Sequence, residues 1–469
     1  MFTAILCICA AVALWVSSTR PRKSRPPGPP GEPILGNARQ IPKLGQWTYF
    51  ADLAKSYGDV VYLTAMGQPM LVISSSQAMS ELLAKNSSFF SGRPHLPMLG
   101  DLVGWDRTVI LGAPTNRWQA QRKLLHQFLG PGSVPIYHQM IEELVYEYVR
   151  NIIPTIEGFM DEFVFTMAKL TIRMAYGMKI ESPKDPVLLA EDTTRNFEDG
   201  MEFGKYRVDL LPLLKYLPAW FPLIKFHHVA AEWKAQLLHS VDLPFGRVKE
   251  EMATGKAEQS FTSMCLESLP AGADDEHIKW ASGVFYLASA RTTTAVIGTF
   301  LYAMILHPEI QAKAQTEIDG ITSGERLPTL ADRPNLPYID CILKEVMRWH
   351  PPAPLGLPHT TTEEVEFREM VQGTIVFNNG WTLSQDPAVY GPDTDKFDPE
   401  RFVRDPIAKD PRDYAFGWGR RRCPGDAFAD ATAWITFATL LASVNMRHAT
   451  DKDGNPIPLK GDFNTNVLQ

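Results

Sequence analysis

From Trp280 to Leu306 the chain is apolar nearly all round. Read as a helix, such a segment has no polar face to show to water, so it belongs at the centre of a large body. Helical periodicity runs through His138–Arg150, Glu162–Tyr176, Val229–Glu251, Pro308–Asp319, Tyr338–Trp349 and Ala427–Val444, and the central helix itself is predicted from His277. Strand signals are few. Two β-branched runs, Asp59–Thr64 and Met70–Ser74, flank Ala65-Met66-Gly67-Gln68 and predict a hairpin, and Thr374–Asn378 predicts a short strand. The expected fold class is mainly α with a small β-sheet region, an α+β body spanning residues 32–469. The chain has 469 residues, 45% of them hydrophobic, enough for a sizeable core.

The amino-terminal segment carries a different signal. Phe2 to Val16 is apolar except for Thr3, and a basic cluster of Arg20, Arg22, Lys23 and Arg25 follows. A helix of about 18 residues spans about 27 Å, close to the thickness of an endoplasmic reticulum bilayer core. A cleaved signal peptide has its basic residues before the apolar run, the reverse of this order. The expectation is a transmembrane anchor at 1–19 and a basic stop-transfer segment with a proline-rich hinge, Pro26-Pro27-Gly28-Pro29-Pro30-Gly31, at 20–31. The positive-inside rule then places residues 32–469 on the cytosolic side of a single-pass endoplasmic reticulum protein. In that orientation the sequon Asn86-Ser87-Ser88 is a chance match. A net charge of −7 argues against nucleic acid as a partner.

Five cysteines, Cys7, Cys9, Cys265, Cys341 and Cys423, are too sparse for a disulfide framework and form no zinc-type pair. One of them stands in an unusual setting, the loop Phe416-Gly417-Trp418-Gly419-Arg420-Arg421-Arg422-Cys423-Pro424-Gly425, with a predicted helix after it. Three neighbouring arginines and a helix amino terminus are expected to lower the thiol pKa and favour thiolate. A lone thiolate cannot build a zinc or iron–sulfur site, but it can be the axial ligand of haem iron.

With this loop the chain resembles the cytochrome P450 superfamily, whose pattern Phe-x-x-Gly-x-Arg-x-Cys-x-Gly is met by Phe416, Gly419, Arg421, Cys423 and Gly425. Glu345-Val346-Met347-Arg348, about 75 residues upstream, and Pro399-Glu400-Arg401-Phe402 match two further family signatures. Details at Thr171–Gly177, Val208–Pro222, Leu355–His359 and Trp381–Asp386 look most like fungal enzymes of secondary metabolism, the group labelled by similarity to O-methylsterigmatocystin oxidoreductase.

The resemblance implies the cytochrome P450 fold, a bound haem b with Cys423 on the iron, and Phe416 in the cofactor-binding loop. It implies haem propionates held by Trp118, Arg122, His359 and Arg421, and a buried structural triad of Glu345, Arg348 and Arg401. Thr292 matches the alcohol that helps deliver protons to bound dioxygen. Electrons are expected from a separate NADPH–cytochrome P450 reductase. The implied reaction inserts one oxygen atom from dioxygen into a lipophilic small molecule, a terpenoid or polyketide. The expected pocket walls are Pro97–Val109, Phe285, Ala288 and Ala353–Leu357.

The sequence departs from the family in the central helix. Arg291 stands where the family has an acid, and Ser289 where it has a glycine. Two expectations follow. Either Arg291 turns aside to pair with an acid while Ser289, Thr292 and water carry protons, or oxygen activation is impaired. A dioxygen-independent isomerase or dehydratase and a catalytically impaired haem-binding relative are the corresponding alternatives. The family's carboxy-terminal hairpin is expected to be partly or wholly missing, and the turn between Phe367 and Gly373 is short.

Overall fold

The computed structural model describes residues 25–459 and residue 463, apart from 155, 189, 203, 222–223, 271, 365–369 and 406–407. The anchor expected at 1–19 and the basic segment up to residue 24 lie outside the described residues. The proline-rich hinge is docked on the body: the Tyr62 N–H donates to the Pro27 carbonyl at 2.9 Å. A Cβ on Gly28 would lie 1.9 Å from the Tyr62 carbonyl oxygen.

The elements used below are, in chain order, α1 (Gln46–Tyr57), β1 (Val60–Ala65), β2 (Gln68–Ile73), α2 (Asn116–Leu129), α3 (His138–Ile152), α4 (Phe159–Tyr176), α5 (Ala190–Met201), α6 (Phe226–Ala253), α7 (Glu276–Leu306), α8 (Pro308–Thr322), α9 (Pro337–Trp349), β3 (His359–Thr360), β4 (Ile375–Asn378) and α10 (Asp426–Ser443). The described residues are thus mostly helical with one small mixed sheet among them, ordered β1-β2-β4-β3. β1 and β2 are antiparallel, β2 pairs with β4 in parallel, and β3 returns antiparallel on β4. The predicted hairpin forms with a tighter turn than its four-residue connection suggested. Ala65 pairs with Gln68, leaving only Met66 and Gly67 between the strands, at φ +52° and +83°. Both positive values belong to the two-residue turn whose twist suits a hairpin.

α7 runs through the centre, packed against α2, α4, α5, α6, α9 and α10. Every residue from Trp280 to Leu287 is buried. Farther along, Phe300 stacks on Phe437 of α10 with ring centroids 3.8 Å apart. Among the described residues α7 is the one helix long and apolar enough to cross a membrane, but more than half of its apolar window is buried inside the protein. Its hydrophobicity serves the core.

α9 carries Glu345 and Arg348 of the expected triad, and Arg401 joins them from the short helix Glu400–Arg404. Arg348 makes two 2.7 Å hydrogen bonds to the Glu345 carboxylate, and both side chains are fully buried. Arg401 approaches the same carboxylate at 3.1 Å. The two guanidiniums also donate to the carbonyls of Ser384, Tyr390, Asp393, Thr394 and Lys396. The network therefore ties the irregular 384–398 segment to α9.

Candidate active site

The 416–425 loop owes its shape to local backbone demands. The Cys423 N–H donates to the Phe416 carbonyl at 2.7 Å. Gly419 sits at φ +52°, and a Cβ there would lie 2.2 Å from the Leu83 carbonyl oxygen, so only glycine fits. The loop thereby leans on the segment Ser80–Lys85 and turns its cysteine inward. Cys423 is exposed by surface area although protein surrounds it on every side, so its thiol opens onto internal space.

The expectation of a thiol pKa lowered by neighbouring arginines is not met. Burial pushes the Cys423 thiol up, and this outweighs the Gly425 N–H together with Arg122 and Arg422. The guanidiniums are committed elsewhere. Arg422 pairs with Asp426 at 2.8 Å, Arg420 is exposed, and Arg421 reaches away toward backbone carbonyls. The thiolate here needs a bound cation to be favoured, which is what a metal ion supplies.

Three arginines converge beside the loop, Arg421 buried and Arg93 and Arg122 half-buried. Arg421 donates to the carbonyls of Ser91, Val109 and Gly112 at 2.8, 3.0 and 2.7 Å. Arg93 donates to those of Ile110, Leu357 and Pro358 at 3.0, 2.8 and 2.9 Å. Arg122 donates to the Arg422 carbonyl. Among the described residues none of the three has a carboxylate partner within ion-pair distance. Burial, reinforced by mutual repulsion, pushes Arg93 down to about 9 and Arg421 down to about 8. Uncompensated buried positive charge of this kind is costly unless an anion joins it, so the cluster suits a ligand with carboxylates. Sequence reasoning named Arg122 and Arg421 but missed Arg93.

Trp118 lies beneath Arg421, whose guanidinium carbon is 4.5 Å from the ring centroid. Its indole N–H is occupied by the Val109 carbonyl at 3.1 Å, so here Trp118 acts as a stacking platform for the cation. The buried His359 donates from Nδ1 to the Phe90 carbonyl at 2.7 Å, and burial pushes its pKa down to about 3. Its imidazole is neutral, with Nε2 left as the other ring position.

On α7 Ala288 is open and Ser289, Arg291, Thr292, Thr294 and Ala295 are half-open, directly after the buried run Trp280–Leu287. Positions 288, 291, 292 and 295 share one face, so that face opens inward. The Thr292 hydroxyl donates weakly to the Ala288 carbonyl at 3.4 Å, and the Ser289 hydroxyl to the Tyr286 carbonyl at 3.2 Å. Phe285 is not an open wall. It is buried in the core, edge-on to Phe428 of α10 with centroids 5.8 Å apart.

Of the two expectations for Arg291, the structure shows the first: it pairs with an acid. Nε and Nη2 bind Glu198 of α5 in a fork at 2.7 and 3.0 Å. Glu198 is only 6% exposed, and burial pushes its carboxyl up against the opposing pull of Arg291. Sequence reasoning found neither α5 nor this acid. A cleft of about 1120 Å³ runs from the hairpin turn at Met66 past Leu355 and Arg93 to Glu198.

A family model described as Cytochrome P450 matches residues 26–466. The chain belongs to the cytochrome P450 family. Its relatives include cytochrome P450 monooxygenase COX2 of Coprinopsis cinerea, 37% identical over 97% of this chain and 89% of the relative. Cytochrome P450 monooxygenase claR of Ampulloclitocybe clavipes is 36% identical over 95% and 84%. Cytochrome P450 monooxygenase ppsD of Aspergillus oryzae is 32% identical over 95% and 87%. The chain is an enzyme of the P450 monooxygenase family, and the family implies haem-thiolate iron. The donor set fits that group: one inward thiol suits the iron, and three carboxylate-free arginines suit the propionates.

Proposed function

We propose that this P450 is a haem-thiolate monooxygenase that inserts one oxygen atom from dioxygen into a lipophilic small molecule of secondary metabolism, a terpenoid or polyketide. The observation that carries the reading is the inward Cys423 thiol beside buried and half-buried arginines that have no carboxylate partner among the described residues. Haem, when bound, supplies the dioxygen chemistry. The chain supplies the rest. Cys423 is the thiolate ligand, and Arg93, Arg122 and Arg421 hold the cofactor's carboxylates. Thr292 and Ser289 hold protons on the open face of α7. The Arg291–Glu198 pair keeps the arginine turned aside, which leaves that face to the hydroxyls. Electrons come from a separate NADPH–cytochrome P450 reductase, and residues 1–19 anchor the enzyme beside it on the endoplasmic reticulum membrane.

The experiment is incubation with reductase, NADPH and ¹⁸O₂ against terpenoid and polyketide panels. Product that gains one labelled oxygen only when NADPH is present is the expected result. Product formed without reductant would overturn the reading in favour of a dioxygen-independent isomerase or dehydratase.

A further inference from the structure

α5 grips α7 at two points one turn apart. The Thr194 hydroxyl donates to the Leu287 carbonyl at 3.0 Å, and Glu198 holds the Arg291 guanidinium in the fork described above. The contacts are matched, 194 with 287 and 198 with 291, so each helix uses positions four apart on one face. Both α5 side chains are buried. Both bonds act on the same turn, because the 287 carbonyl is the one that the Arg291 N–H meets in a helical ladder. α5 is in turn fixed to α6: the Thr193 and Ser240 hydroxyls lie 3.1 Å apart, and Asn196 donates to Gln236 at 2.5 Å.

The gripped turn is the part of α7 that most needs outside support. Five consecutive ladder carbonyls each accept a side-chain hydroxyl: Tyr286 from Ser289, Leu287 from Thr194, Ala288 from Thr292, Ser289 from Thr293 and Ala290 from Thr294. Hydroxyls bonded back onto a helical ladder weaken and bend it. Four of these hydroxyls belong to α7 itself, and only the one on Leu287 comes from another element. The buried run Trp280–Leu287 holds the helix upstream, and the Phe300–Phe437 stack holds it downstream. The half-open stretch between them carries Thr292. We infer that Thr194 and Glu198 are positioning residues for the reaction: from α5 they fix the 287–291 turn of α7, and with it the direction in which Thr292 presents its hydroxyl to the open face. They act through α7 and not on the reacting atoms. This rests on the monooxygenase reading, because only there does the direction of that hydroxyl matter.

The test uses the haem-loaded full chain and the variants Thr194→Val, Thr194→Ser, Glu198→Gln and Thr292→Val. The first readout is amide hydrogen–deuterium exchange. Thr194→Val keeps the side chain's shape and loses the donor, so exchange at 288–296 should speed up about fivefold or more, with 300–306 and α10 unchanged. Thr194→Ser keeps the hydroxyl and should match the wild type. The second readout is the rate at which the reduced protein reoxidises in oxygenated buffer without substrate. Thr292→Val should shift that rate, and Thr194→Val and Glu198→Gln should each shift it in the same direction by about threefold or more. Combined with Thr292→Val, neither should shift it further, since the clamp acts through that hydroxyl. Where Glu198→Gln does not load haem, the two Thr194 variants decide alone. Unchanged exchange at 288–296, exchange that rises equally in α10, a reoxidation rate that Thr292→Val leaves unchanged, or clamp effects that add to those of Thr292→Val would each overturn the inference. The carbon monoxide band of the same wild-type sample separates the two failures. With a red-shifted band these results overturn this inference alone, whereas an absent band overturns the monooxygenase reading together with it.

Discussion

Replacing Glu345 with glutamine removes one charge and almost no volume. In the native chain that carboxylate accepts two bonds from Arg348 at 2.7 Å, one from Arg401 at 3.1 Å and one from the Asp398 N–H at 2.8 Å. Glutamine keeps one acceptor oxygen and turns an amide N–H₂ toward a guanidinium. Two buried cations are then left without an anion. Breaking a buried pair from one side costs about 3–5 kcal/mol, or about 100-fold or more in the folding equilibrium. The exposed pair Lys179–Glu258 serves as the control, since Glu258→Gln should cost no more than about 1 kcal/mol.

The assay is guanidinium unfolding followed by far-ultraviolet circular dichroism and by the haem absorption of the loaded enzyme. The apolar triple variant Glu345→Leu/Arg348→Met/Arg401→Met should not recover wild-type stability, because it strands the five backbone carbonyls that the arginines hold. A Glu345→Gln variant within about 1 kcal/mol of wild type would refute the reasoning. Full recovery in the triple variant would show that charge pairing alone is at stake.

Two further perturbations test the surroundings of the site. Burial pushes Asp209 up to about 6, although it accepts the Met98 N–H at 2.8 Å. A carboxyl raised in the folded state holds its proton longer than in the unfolded chain, so its contribution worsens as pH rises from about 4 to about 6. Asp209→Asn should therefore stabilise the protein at pH 7.5 by about 1 kcal/mol after allowance for partial exposure, and give no gain near pH 4, as read from denaturant midpoints. Gly419→Ala should cost about 2–3 kcal/mol more than Gly255→Ala and lower haem content at purification. Both glycines have positive φ, but only Gly419 would drive a Cβ into a backbone oxygen.

The elements with strong period were legible from the sequence to within a few residues: α3, α4, α6, α7, α8, α9 and α10 all formed where the apolar spacing put them. α5 was not. Its sequence is acidic and polar, and it is seated by tertiary contacts, with Phe197 against Trp105 at 4.6 Å and Glu198 turned inward onto Arg291. The cysteine loop was legible because its glycine requirements are local. The arginine cluster was legible only in part, since Arg93, Arg122 and Arg421 come from three distant segments and Arg93 belongs to no local pattern. The thiol pKa was misjudged because adjacency in sequence does not say where a guanidinium goes. Arg421 and Arg422 both turn to other partners, and burial then decides the direction.

The central claim is that Cys423 is a thiolate ligand to haem iron. The measurement is the carbon monoxide difference spectrum of the reduced protein, recorded for the wild type and for Cys423→Ser. The account predicts a strongly red-shifted Soret band in the wild type and its loss in the variant. An ordinary band in the wild type, or a red-shifted band that survives Cys423→Ser, would contradict it.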